Sequence, residues 1–222
     1  MITLKAKPTL RRLAPFGILA ALAGAGTPAR AVTYVDISAP GSVRSALVNG
    51  AYLFPIQTTT AAGSGIFNAF LQYQSNGSES GINSSSAADT GQNALLDTKS
   101  IPARSHDITV SSLVSYTVNG LGYYSFGLDT NENNGSGDYI SMDELEVWVR
   151  SSALSAPKTY ADLSGSGATK VYDLDQTTDT TVLVNVSNGA GGSGQADQIF
   201  LLPKSLIDNA VGSSSWNVYF YV

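Results

Sequence analysis

Short runs rich in Val, Ile, Tyr, Phe and Thr recur along the chain between clusters of Gly, Ser and Asn, while helical periodicity is almost absent. Such spacing is the signature of an all-β protein built from many short strands. The runs predict strands over Thr33–Ile37, Ala51–Thr58, Ile66–Gln74, Asp107–Val110, Ser115–Val118, Tyr123–Asp129 and Ile140–Val149. A second group covers Thr169–Asp173, Thr181–Val186, Gln198–Leu202 and Trp216–Val222. Asn119-Gly120 sits between two apolar runs and signals a tight hairpin, and Asn49-Gly50 and Asn76-Gly77 mark turns of the same kind. Pro203 and Ser205 before Leu206–Val211, with Gly212 after it, predict one short helix. The expected architecture is an antiparallel β-sandwich of jelly-roll type.

Residues 1–31 follow a different pattern. Lys5, Lys7, Arg11 and Arg12 precede an Ala-rich apolar stretch from Leu13 to Gly26, and Ala29-Arg30-Ala31 fits a small-x-small cleavage site. This is the layout of a secretory signal peptide, with the exported chain starting at Val32. The apolar stretch is short for a membrane span. The remainder divides into residues 32–150, read as a β-sandwich domain, and residues 151–222, a C-terminal β segment. The small-residue stretch 151–157 either links that segment as a second module or loops between strands of one sandwich.

Composition narrows the class of function. The 222 residues carry 12 Lys and Arg against 17 Asp and Glu, and none of the acidic residues lies in the first 31. The exported part is therefore strongly acidic, which disfavours nucleic acid and anionic lipid and favours cations. Cysteine is absent, so neither disulfides nor thiolate metal sites are open to this chain. Oxygen-ligated metal is the other common means of bracing an extracellular fold.

The densest candidate chemistry lies between Phe126 and Val149. Asp129, Asn131 and Glu132 leave one strand, and Asp143 and Glu144 open the next. So many hard oxygen ligands in one hairpin suit calcium. Asp129, Asn131 and Asn133 match the first positions of an EF-hand loop, but Asn134 replaces its Gly and Ile140 its final Glu, so the site expected is a strand-turn-strand one. Glu79 and Asn83 are placed to close the shell from an earlier loop. The competing reading is a turn whose Asx side chains bond their own backbone. Asp173-x-Asp175 with Asp179 forms a second acidic cluster, read as an exposed turn.

Catalytic constellations are missing. Asp143, Glu144 and Glu146 supply carboxylates for a glycosidase, with nothing else to support the chemistry. His106 is the single histidine; its neighbours Ser105 and Asp107 would splay apart on a strand, and no nucleophile elbow is present. Leu145, Val147 and Val149 alternate with Glu146 and Trp148, which makes Trp148 the aromatic to test for ligand contact, with Tyr123 or Tyr124 from the neighbouring strand as companion. Packing under a second sheet is the preferred fate of that ring.

Several blocks resemble a group of exported bacterial proteins that usually carry a C-terminal PEP-CTERM sorting signal. They are Gly63–Gln74, Glu79-x-Gly81-Ile82-Asn83, Tyr123–Glu132, Ile140–Leu145, Val171–Asp175 with Asp179, and Asp197–Phe200. Members typically pair a Leu-Asp-x-Asn strand end with a Leu-Asp-Glu-Leu-like strand start, seen here as Leu128-Asp129-Thr130-Asn131 and Met142-Asp143-Glu144-Leu145. The likeness covers roughly residues 50 to 222. It implies an extracellular or cell-surface location and a surface or matrix role, without an assigned activity. No Pro-Glu-Pro motif, terminal apolar span or basic tail is present, and the chain ends within a strand-like run. The alternatives are a truncated sequence or a released member. The expectation is a non-enzymatic, calcium-stabilised surface or biofilm-matrix protein that contacts polysaccharide or matrix components; the alternative is a carbohydrate-binding module.

Overall fold

A computed structural model describes residues 32–38, 46–55, 70–71, 79–85, 96–98, 105–128, 139–157, 159–185 and 198–222. Strands dominate them: β1 (Val32–Asp36), β2 (Ala46–Val48), β3 (Ala51–Pro55), β4 (Ile108–Thr109), β5 (Ser115–Val118), β6 (Leu121–Leu128), β7 (Tyr139–Met142), β8 (Glu146–Arg150), β9 (Thr169–Asp173), β10 (Asp179–Asn185), β11 (Gln198–Pro203) and β12 (Asn217–Tyr221). Two one-turn helices, α1 (Tyr160–Ser164) and α2 (Lys204–Asp208), interrupt them. Among the described residues no helix is long and apolar enough to cross a membrane.

The strands form three sheets, ordered β1-β10-β7, β2-β3-β11-β6-β5 and β4-β12-β8-β9. Pairing is antiparallel throughout except for β1 on β10, which run parallel. The protein is thus all-β and sandwich-like; the strand order alone does not make it a jelly roll. Every sheet combines strands from before and after residues 151–157, so the C-terminal segment is interleaved with the rest.

Asn49-Gly50 and Asn119-Gly120 turn the β2–β3 and β5–β6 hairpins. Both residues of each pair have positive φ, at 49° and 87° and at 50° and 80°. Those are the angles of the twist-matched two-residue hairpin, and Asn and Gly bear them at least steric cost. Asn49 also reaches out of its turn. Its amide donates to the carbonyls of Asp173 and Leu174 at 2.9 and 2.8 Å, tying the five-stranded sheet to the end of β9.

Inward rows of the facing sheets make the main core. Leu53, Tyr124, Phe126, Phe200 and Leu202 meet Val147, Val149, Tyr172, Val218 and Phe220, with Met142, Val182 and Val184 closing the side. The outer face of the β4-β12-β8-β9 sheet is covered as well. Trp148 and Tyr219 pack there against Ile82, Leu96, Leu154 and Leu163 in a second apolar cluster. Helix α1 supplies Leu163, and its start is fixed by a capping box in which Thr159 Oγ1 and the Asp162 carboxylate exchange bonds with each other's backbone amides.

Two expectations need correction. The run Ile140–Val149 is two strands, because residues 143–145 carry the chain from the β1-β10-β7 sheet to the β4-β12-β8-β9 sheet. Leu145 stays buried through the crossing, so the apolar pattern continues where the strand does not. The helix near Leu206 begins earlier, at Lys204 directly after Pro203, and ends at Asp208. The expected strand at Ile66–Gln74 lies outside the described residues apart from Phe70 and Leu71, which are not in a strand.

Candidate metal centre

The acidic group forms where β8 pairs with β9. Glu146 lies opposite Asp173 and Val147 opposite Tyr172, after which the register shifts and Trp148 faces Lys170. In a regular strand residues three apart point to opposite faces. The bulge absorbs Val171, so Lys170 and Asp173 both reach the side of Glu146. Re-aiming a side chain is a usual role of a bulge.

Glu146 is 4% exposed, and donors surround it. Trp148 Nε1 donates to Glu146 Oε2 at 2.7 Å, and the Tyr160 hydroxyl donates to Oε1 at 3.0 Å. Lys170 Nζ bridges Glu146 Oε1 and Asp173 Oδ2, the latter at 2.7 Å. The same ammonium stands 5.3 Å from the centre of the Trp148 ring. Burial pulls the Lys170 pKa down, but hydrogen bonds to Asp173 and Glu146 outweigh it and hold the group above the ordinary lysine range.

Glu144 completes the cluster from the crossing segment. Glu144, Glu146 and Asp173 each offer one oxygen, and all three lie within 4.8 Å of one another. Oxygens on opposite sides of one calcium ion are separated by roughly 5 Å, given typical ligand distances. The three residues could therefore hold a metal ion. Glu144 Oε1 is buried and has no hydrogen-bond partner. Burial first, then the charges of Glu146, Asp175 and Asp173, push its pKa up to about 7, with Lys170 opposing.

Folding thus raises the proton affinity of Glu144, and the stability linked to that proton is complete below the unfolded value and is lost as pH climbs through about 7. In chelator, the melting temperature should be a few degrees higher at pH 5 than at pH 8, with a smaller difference in Glu144→Gln. Wild-type and variant profiles of the same slope would contradict this assignment.

Of the residues expected to ligate, Glu144 is in the group. Asp143 is exposed and accepts from Ser141 Oγ at 3.1 Å, and Glu79 is not among the clustered carboxylates. Asp129, Asn131 and Glu132 lie outside the described residues. Asn83 is spent on the backbone, for its amide donates to the Val218 carbonyl and its Oδ1 accepts from Phe220 N. Glu146 and Asp173 enter instead. Their convergence depends on the β8–β9 pairing and its bulge, for which the sequence shows only a Lys-x-x-Asp spacing.

Asp173 and Asp175 also serve as turn formers. Asp175 N donates to Asp173 Oδ1 at 2.8 Å and Thr180 N to Asp175 Oδ1 at 2.7 Å. Trp148, Tyr160 and Lys170 donate three hydrogen bonds to the Glu146 carboxylate, which leaves roughly one of its four acceptor positions for a further partner. Trp148 is 6% exposed, with the Tyr160 ring packed edge-on at 6.3 Å. Its expected companions are elsewhere. Tyr123 and Tyr124 belong to β6 in the other large sheet, because β7 and the crossing segment intervene between β6 and β8.

Comparison of the chain with protein-family models, with curated proteins and with solved structures finds no match.

Proposed function

We propose that this chain is an exported, non-enzymatic protein of the bacterial cell surface or biofilm matrix, and that its sandwich is braced by a bound calcium ion. The observation that carries the reading is the placement of the Glu144–Glu146–Asp173 group. It is built into the seam between β8, β9 and the second apolar cluster, where Glu146 already holds Trp148, Tyr160 and Lys170. A cation there would neutralise the partnerless Glu144 oxygen and tie the crossing segment to the sheet. Support for export comes from the signal-peptide pattern of residues 1–31, the acidic remainder and the resemblance to PEP-CTERM-sorted proteins.

Calcium that binds only the folded state raises stability by about 2.7 kcal/mol at a hundredfold excess over its dissociation constant. For a chain of this size that is a rise of roughly 5–10 °C in melting temperature. The measurement is thermal melting in calcium and in chelator, for wild type, Glu144→Gln and Asp173→Asn. Superimposable wild-type curves would remove the ion from the proposal. Fractionation that leaves the protein in the cytoplasm would remove the location.

A carbohydrate-binding module remains the second reading, but the burial of Trp148 takes away the aromatic it would have used. Retention of a defined sugar on a glycan array, lost on substituting an exposed tyrosine such as Tyr116, would favour it.

A further inference from the structure

Gln198 is the first residue of β11, and it occupies an inward position in the row Gln198–Phe200–Leu202. It is 2% exposed, and neither Oε1 nor Nε2 of its side chain has a hydrogen-bond partner. A buried primary amide with both ends unpaired lowers stability and calls for an explanation. The amide lines a cavity of about 80 Å³ at the end of the main core, walled by Phe70, Phe126, Met142, Leu145 and Phe220. Among the described residues no charged side chain lines it, and Gln198 is the one polar side chain in its wall.

Water is a poor occupant. The cavity is roomy enough for several molecules, but a stably buried water needs two to four polar partners, and among the described side chains a single amide would serve them all. Weakly held water is displaced with a gain in affinity by a group that packs on the apolar wall.

We propose that this cavity is a binding site for a small neutral aliphatic molecule bearing one group that both donates and accepts, a primary amide being the closest match. Such a group closes a pair of hydrogen bonds with Gln198, donating to Oε1 and accepting from Nε2. The aliphatic body lies against the Phe and Met side chains. The volume, about half that of a dry cavity that admits benzene, limits the enclosed part to roughly three heavy atoms, and the rest of the molecule lies at the open side. Ionised ligands are disfavoured, because no described side chain of the wall compensates a buried charge.

The test is a titration of the purified protein with isobutyramide, followed through Met142 and Leu145 methyl resonances (Leu145 alone in the Met142 variant), with sodium isobutyrate at pH 8 as the charged isostere. Isobutyramide should bind saturably with a dissociation constant on the order of 1 mM. Isobutyrate should bind at least tenfold more weakly. Gln198→Leu should lose the saturable shift while melting at or above the wild-type temperature. Met142→Phe narrows the cavity and keeps the amide, and it should weaken binding as well. The proposal is overturned if isobutyramide gives no saturable shift, or if Gln198→Leu binds it as wild type does. It is equally overturned if Gln198→Leu melts several degrees lower, since the amide would then be satisfied by fixed water or by the protein.

Discussion

Replacing Asn83 with Ala should destabilise the protein by about 3 kcal/mol, which for a chain of this size lowers the melting temperature by roughly 6–12 °C. Asn83 is fully buried, and its side chain works as a piece of strand. Strand β4 pairs with only Asn217 and Val218 of β12, so the rest of that edge needs other partners. Asn83 Oδ1 accepts from Phe220 N at 2.6 Å and Nδ2 donates to the Val218 carbonyl at 3.0 Å. Next to it Ile82 bridges Tyr221, and Gly81 exchanges backbone bonds with Val222. Alanine leaves the Phe220 amide without its acceptor in an apolar setting. Asn83→Asp keeps the acceptor, loses the donor and adds a buried charge, so it should be at least as damaging. A melting temperature within 1 °C of wild type for Asn83→Ala would show that water can take over the ladder.

Glu146→Ala should cost a comparable amount, about 3 kcal/mol. Breaking a fully buried ion pair costs roughly 3–5 kcal/mol, and the partial exposure of Lys170 argues for the lower end. Three groups lose their acceptor at once: the Trp148 indole, the Tyr160 hydroxyl and the Lys170 ammonium. Lys170 retains Asp173, whereas the indole is left without its 2.7 Å partner. Glu146→Gln preserves an acceptor for the indole and should lose only about 1 kcal/mol. Tryptophan fluorescence gives an independent reading, because a released α1 would admit water to the Trp148 ring. Equal melting temperatures for the Ala and Gln variants would rule out the network as the source of the effect.

Features set by neighbours along the chain were legible in the sequence. Both Asn-Gly turns that fall in the described residues form, and Ser115–Val118 and Thr169–Asp173 are strands over those same residues. The separation of Val147 and Val149 from Glu146 and Trp148 also follows from simple alternation. Features set by pairing were not legible. A continuous apolar run does not disclose that residues 143–145 change sheets, because both sheets face one core. Nor does alternation disclose the bulge beside Val171, and without it Lys170 would point away from Glu146. The metal-ligand candidates show the same division. Glu144 and Glu146 are close in sequence, but Asp173 joins them only through a strand partnership formed at long range. Helix α1 is a different case. Thr159-x-x-Asp162 spells a capping box, yet a helix of five residues is too short to leave a periodic trace.

The parallel pairing of β1 with β10 has a consequence for the order of assembly. Val32–Asp36 is synthesised long before its partners, Asp179–Leu183. Until those residues are available, β1 has no strand to join. Contacts so distant in sequence are slow to form, because the entropy of closing the intervening loop is spent before any pairing is gained. Folding times should therefore fall in the slow range typical of non-local β topologies, milliseconds to seconds. The β1-β10-β7 sheet therefore closes only once the chain has been made at least as far as Leu183, long after β1 itself is available.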